Sequence, residues 1–207
     1  MPKLPDGLSI FAGITFTFTL GWVGLIAVPH FQLSNLTAQA EEDSADVYPK
    51  PLEGQAVQGR AVYVSEGCVY CHSQQVRGEA FGTDIARGWG DRRTVPRDYL
   101  YDYPILLGTM RTGPDLSNIG ARQPDDTWHL LHLYNPLITS PGSIMAPFDY
   151  LFEKRKIVGE QAYDALPLKN EWAPPAGFEI VPTERAKALV AYLKAQNRSF
   201  PLKEAAR

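Results

Sequence analysis

The 207-residue chain is 44% hydrophobic and 21% charged with a formal net charge of -3, which suits one globular domain plus an extra segment and excludes a disordered or collagen-like chain. Glu41, Glu42, Asp43 and Asp46 crowd one short acidic run and the remaining charge is of mixed sign. No broad basic surface is left to neutralise phosphates, so nucleic acid is not an expected partner.

From Leu8 to Val28 run 21 residues without a charge, and the uncharged stretch continues to Glu41. At 1.5 Å per residue, about 20 residues cross the hydrocarbon core of a bilayer. The run is apolar all round and carries Trp22 and Pro29-His30 near its far end, whereas a soluble amphipathic helix would show a polar face. Residues 1–32 are therefore read as a single transmembrane anchor, with the lipid bilayer as a partner. A cleaved signal peptide is the rival reading, supported by the A-x-A-like Ala38-Gln39-Ala40. Against it, the apolar run is too long and the gap from Val28 to Ala40 too wide. Lys3 and the amino terminus precede the span and the acidic run follows it, which predicts the N-terminus inside and the bulk of the chain outside. Residues 33–54 hold Thr, Gln, Ser and Pro without periodicity and are expected to be a solvated linker to a domain at 55–207.

Cys68-Val69-Tyr70-Cys71-His72 has the C-x-x-C-H form. Two thiols on one turn can add to the two vinyl groups of a haem, and the next residue offers an imidazole to the iron. The form occurs once, so one covalently attached haem c is the expected cofactor. A thioredoxin-like reading lacks its βαβ context. A zinc site built from Cys68, Cys71, His129 and His132 has permissible spacing but leaves His72 without a role. Covalent haem attachment of this type is completed outside the cytoplasm, in agreement with the predicted orientation.

Around the motif, Gly59, Tyr63 and Cys68 stand in the order G-x3-Y-x4-C. On a helix Gly59 and Tyr63 share a face, where a glycine admits the close approach of another helix. Near the C-terminus, Thr183 is placed to cap a helix in which Ala186, Leu189, Tyr192 and Leu193 form one apolar stripe, with Glu184 near its start and Lys194 near its end. The two helices are expected to cross. Between them lies Arg111-Thr112-Gly113-Pro114-Asp115-Leu116. This arrangement resembles a class I cytochrome c, and the fold class expected is mainly α, one transmembrane helix followed by a class I cytochrome c domain with loop insertions. In that family the proline carbonyl of T-G-P-x-L accepts the proximal histidine's N–H. The resemblance thus implies that Pro114 orients the His72 ring and raises its basicity.

A haem iron with one histidine needs a second side chain for fast electron transfer, and the candidates are Met110, His129, His132 and Met145. Met145 lies in the turn-rich Ser143-Ile144-Met145-Ala146-Pro147, 73 residues after His72, as a loop closing over the opposite haem face requires. Its thioether would favour the ferrous state. Met110 adjoins the proximal segment and falls on the wrong side. His132 is the runner-up, because haem iron also accepts imidazole. His129 and His132 stand at i and i+3 of a predicted short helix capped by Asp125 or Asp126. One imidazole is expected to bond a haem propionate or the backbone and the other to face a partner, and no catalytic role is assigned to either.

Taken with the span, EGCVYCHSQ (66–74), Tyr101-Asp102-Tyr103-Pro104, GTMRTGPDL (108–116) and HLYNP (132–136) resemble the membrane-anchored mono-haem subunit of a cbb3-type cytochrome c oxidase. The resemblance covers roughly residues 8–150 and rests on several separated motifs in one order. It implies an electron relay in a bacterial inner membrane with a periplasmic haem domain. Its partners would be a di-haem cytochrome c subunit, which supplies electrons, and the haem-copper catalytic subunit, which reduces oxygen to water and pumps protons. The family's axial methionine is usually followed directly by proline, whereas Ala146 intervenes here. Residues 76–98, with Arg77, Arg87, Arg92, Arg93 and Arg97, and residues 155–176 match no quoted pattern and are expected to be solvated insertions. The anchored cytochrome c subunit of a nitric oxide reductase is a rival from the same class, disfavoured by RTGPDL and HLYNP. A haem-based ligand sensor with an open iron site is a rival from another.

Overall fold

Asp6 opens the first helix by accepting a hydrogen bond from the Ser9 amide at 2.8 Å, which caps α1 (Gly7–Trp22). The structure is a computed structural model that describes residues 6–40 and 46–205. Lys3 and the acidic residues 41–43 of the orientation signal lie outside the described residues. A wide turn, Val23–Ala27, joins α1 to α2 (Val28–Leu33), and the whole apolar helix spans 27 residues, Gly7–Leu33. At 1.5 Å per residue that is about 40 Å, enough to cross a bilayer. The side chains of α1 are exposed throughout.

The helix does not stop at Pro29, where the sequence pattern ends. Proline has no N–H and its ring crowds the carbonyl four residues back, which ordinarily kinks or ends a helix. Here the wide turn comes immediately before it, with the Val28 amide reaching back to the Val23 carbonyl, so the displaced carbonyls find room.

Two-residue strands β1 (Gln39–Ala40) and β2 (Val47–Tyr48) follow, and a second compact unit begins at Tyr48, ahead of the expected start at Gln55. The reason is Tyr48 itself. Its ring stacks on Phe200 at 4.9 Å and its hydroxyl donates to Asp98.

The second unit is organised by α3 (Gln55–Ser65), α4 (Ile119–Arg122), α5 (Asp126–Tyr134) and α6 (Glu184–Ala195). A two-stranded antiparallel hairpin, β3 (Phe152–Lys156) with β4 (Phe178–Pro182), is in register from Phe152 opposite Pro182 to Lys156 opposite Phe178. α3 and α6 cross at Gly59, where a Cβ would stand 1.8 Å from the Ala188 carbonyl oxygen. Only a glycine permits that approach. Tyr63 and Tyr192 meet beside the crossing at 5.2 Å, and Val62, Leu116, Ile119, Leu189 and Leu193 complete the surrounding core. Thr183 caps α6 as expected, accepting from the Ala186 amide, and Asp125 rather than Asp126 caps α5, accepting from the Thr127 and Trp128 amides.

The first unmatched segment is not a solvated insertion, whereas residues 155–176 are largely exposed, as expected, and are anchored at a few points. Within residues 76–98, Val76, Trp89 and Val95 are buried, and the guanidinium of Arg92 grips Asp98 through two bonds of 2.9 and 2.7 Å while donating to the Phe200 carbonyl. Buried arginines require such partners, and these lie far enough along the chain that a local pattern does not show them. In residues 155–176, Arg155 bonds Glu179 across the hairpin at 2.8 Å, and the buried Leu166 donates its amide to the Ile180 carbonyl.

Candidate functional site

α3 ends where Gly67 takes a left-handed conformation, φ 73°, and that reversal launches the turn Cys68–Tyr70. The His72 amide closes the turn on the Cys68 carbonyl at 3.0 Å, so both thiols and the imidazole project from one compact bend. Neither cysteine is in a disulfide, Cys68 being half-buried and Cys71 exposed. Burial pushes the Cys68 thiol up to about 12 and keeps it protonated.

His72 Nδ1 lies 2.7 Å from the Pro114 carbonyl oxygen. A carbonyl only accepts, so Nδ1 carries the proton and donates, and Nε2 is left with its lone pair free to bind a metal. Burial lowers the His72 pKa and the Pro114 carbonyl partly opposes the shift. The loop that supplies Pro114 is stitched to the motif by its backbone. Gly113 donates to the Cys71 carbonyl at 2.9 Å, and Leu116 donates to the Ser73 carbonyl at 2.8 Å. Gly113 lies flat against the imidazole, and a Cβ there would stand 2.3 Å from His72 Cε1. Gly108, at φ 85°, brings the 101–110 segment equally close to the His72 backbone.

One flank of the core is lined by half-buried apolar groups, among them Cys68, Val69, Leu130, Leu131, Met145 and Phe148. The loop carrying Met145 is tied to this flank twice. Tyr150 donates to Glu66 at 2.6 Å, and the Phe148 amide donates to the Leu133 carbonyl at 2.9 Å. The Met145 amide is held by the Ser143 hydroxyl, and Ala146 and Pro147 are exposed, so the extra residue before the proline is accommodated at the surface. Met110 is not part of the flank and is 55% exposed. A pair of free thiols on one turn, an imidazole with its outer nitrogen already committed, and an apolar wall beside them suit a flat apolar macrocycle with a central metal.

The two other histidines are held inside the fold. His129 is buried and its Nε2 bonds the Gln123 carbonyl at 2.8 Å. His132 is half-buried. It stacks on Trp128 at 4.8 Å, its Nδ1 meets the Thr139 hydroxyl at 2.6 Å, and burial together with the nearby His72 and His129 charges pushes its pKa down to about 4. Among the described residues no group of three or more His, Cys, Asp and Glu side chains is placed to hold a metal ion, which leaves the Cys2His2 zinc reading without a site.

Sequence reasoning missed Asp84. Its fully buried carboxylate takes two bonds from the Arg77 side chain, at 2.9 and 3.2 Å, one from the Arg77 amide at 2.8 Å, and a further bond from Arg111. Arg111 belongs to the Pro114 loop and lies over the Trp89 ring at 5.6 Å, so Asp84 braces that loop. Burial raises the Asp84 pKa, but hydrogen bonds from Arg77 and Arg111 outweigh it and hold the group at about 2. The folded value is below the ordinary aspartate value near 3.9, so this stabilisation is complete above the ordinary value and disappears as pH falls through about 2. Asp84→Asn is therefore expected to lower stability at neutral pH and to flatten the loss of stability between about pH 5 and pH 2. Urea unfolding of both proteins across that range checks it.

No curated protein matches the chain. A family model described as cytochrome c oxidase, mono-haem subunit/FixO, matches residues 7–171, a span that takes in the apolar helix, the C-x-x-C-H turn, the Pro114 loop and Met145. The match sets the chain with an oxidase. The chain belongs to the FixO family of cytochrome c oxidase mono-haem subunits, as a membrane-anchored electron-transfer subunit with a single haem.

Proposed function

We propose that this chain is the mono-haem relay of a cbb3-type oxidase, holding haem c covalently through Cys68 and Cys71 with His72 and Met145 as the axial pair. The observation that carries the reading is the His72 Nδ1 bond to the Pro114 carbonyl at 2.7 Å, beside two free thiols on one turn. A bound haem supplies a one-electron ferric/ferrous couple. The chain's own residues do the rest. Pro114 fixes the imidazole plane and leaves Nε2 as the ligating atom, and Gly113 leaves the ring its space. The apolar flank around Val69, Leu130 and Leu131 keeps water away, which favours the less charged ferrous state. Met145 is chosen over His132 because it packs half-buried against the core, whereas His132 is already held by Thr139 and Trp128.

Held by both His72 and Met145, a bound haem would pass electrons rather than bind oxygen. Its donor is the di-haem cytochrome c subunit and its acceptor the haem-copper catalytic subunit. The anchor lies in the bacterial inner membrane with its N-terminus cytoplasmic and the haem domain periplasmic, which restricts the search for both partners to the membrane plane.

The intact denatured mass of the full-length protein, made in a host competent for c-type attachment, tests the reading. One covalent haem is expected on the wild type and none on the Cys68→Ala, Cys71→Ala double variant. A wild-type mass without haem overturns it. Carbon monoxide binding to the reduced protein separates a six-coordinate relay, which resists it, from a sensor. Recovery with a haem-copper oxidase from native membranes tests the partner.

A further inference from the structure

Asp115 stands between Pro114 and Leu116, and its side chain is fully buried and fully engaged. Oδ2 accepts from the Ser73 hydroxyl at 2.6 Å and from the Gln75 amide at 2.7 Å, while Oδ1 accepts from the Ser117 amide at 2.8 Å. Both oxygens accept, the pattern of an ionised carboxylate. Arg122 donates to the Asp115 backbone carbonyl and not to the carboxylate, and among the described residues no lysine or arginine bridges the carboxylate. Three neutral donors bond the carboxylate, and the nearby Arg122 guanidinium offsets part of its charge without bonding it.

The position of this clasp gives it a consequence for the haem. Ser73 directly follows His72, and Asp115 directly follows Pro114, the residue that binds the His72 ring. The carboxylate therefore ties the residue after the ligand to the residue after the ligand's partner. It also leaves a buried negative charge close beneath the proximal side, where the field of a charge is screened far less than in water.

We propose that Asp115 tunes electron transfer electrostatically, its buried charge holding the haem potential down. The proposal rests on the reading of His72 as the iron ligand. A buried anion favours the more highly charged ferric state.

Redox titration of the full-length haem-loaded protein tests it with two variants. Asp115→Asn removes the charge and is expected to raise the ferrous-to-ferric ratio at fixed poise about tenfold, about 59 mV for a one-electron couple. Ser73→Ala keeps the charge but strips one of its donors, so the anion is less compensated and the ratio should fall roughly threefold. Opposite shifts are the signature of an electrostatic role. A purely mechanical clasp loosens the loop in both variants and shifts both the same way, which overturns the proposal, as does the absence of any shift. Should Asp115→Asn fail to fold, Ser73→Ala decides alone, a fall supporting the proposal and a rise or no change overturning it. A wild type lacking haem, or lacking a His72-ligated spectrum, overturns the underlying assignment instead, before the variants are compared.

Discussion

Gly113→Ala is expected to expel the His72 imidazole from its place beneath the Pro114 carbonyl while leaving the fold and the two thiols untouched. A methyl group at that position would stand 2.3 Å from His72 Cε1, 2.7 Å from Nδ1 and 2.8 Å from Nε2, closer than any real side-chain contact. The backbone of Gly113 has little freedom to retreat, because its amide is bonded to the Cys71 carbonyl at 2.9 Å. The imidazole must therefore turn, and the 2.7 Å bond to Pro114 breaks. Overpacking of this kind costs about 1–3 kcal/mol, and each 1.4 kcal/mol is about a factor of ten in a local equilibrium. The expected result is a covalently attached haem whose iron has lost its low-spin, six-coordinate absorption and gained the capacity to bind carbon monoxide. An unchanged low-spin spectrum in Gly113→Ala would show that His72 is not held by this contact.

A second glycine controls the fold itself. In Gly59→Val the new Cβ would lie 1.8 Å from the Ala188 carbonyl oxygen, 2.5 Å from its carbon and 2.8 Å from Tyr192 Cβ. The obstruction is helix backbone, which cannot rotate aside as a side chain does, so α6 must withdraw as a unit and the core beneath Tyr63 and Leu189 opens. We expect a loss of about 4 kcal/mol or more, at the upper end of single substitutions, and a fall in Tm of about 10 °C. Ala61→Val introduces the same side chain on the exposed face of α3 and should change stability by no more than about 0.5 kcal/mol. Thermal unfolding of the two variants beside the wild type separates the crossing from any general cost of valine in this helix.

Both glycines belong to motifs that are visible in the chain, and for the same physical reason. A residue without a Cβ is needed where two backbones, or a backbone and a ring, come together, and that need leaves a mark at one position in the sequence. The contiguous C-x-x-C-H, the Gly59 and Tyr63 spacing, and the Thr183 and Asp125 caps are legible in the same way, since each depends on neighbours within a turn or two. Asp84 is not legible, because its partner Arg111 lies in another loop and nothing around either residue signals the pairing. The same holds in part for Asp98, which joins the neighbouring Arg92 and Val95 amide to the distant Tyr48 hydroxyl. Four of the five arginines in residues 76–98, Arg77, Arg92, Arg93 and Arg97, look like solvated charge until their carboxylates and carbonyls are in place.

By itself, then, the sequence determined the apolar span, the single haem motif, the two crossing helices and the loop that presents Pro114, because these are written in local periodicity, capping chemistry and residues adjacent in the chain. Only the tertiary structure decided that the 76–98 segment braces the proximal loop and that Asp115 is a buried clasp. Each of these depends on which distant group meets a buried charge, ring or carbonyl. Such pairings are chosen by the cost of leaving a polar group unsatisfied inside the fold, and that cost exists only once the chain has closed around it.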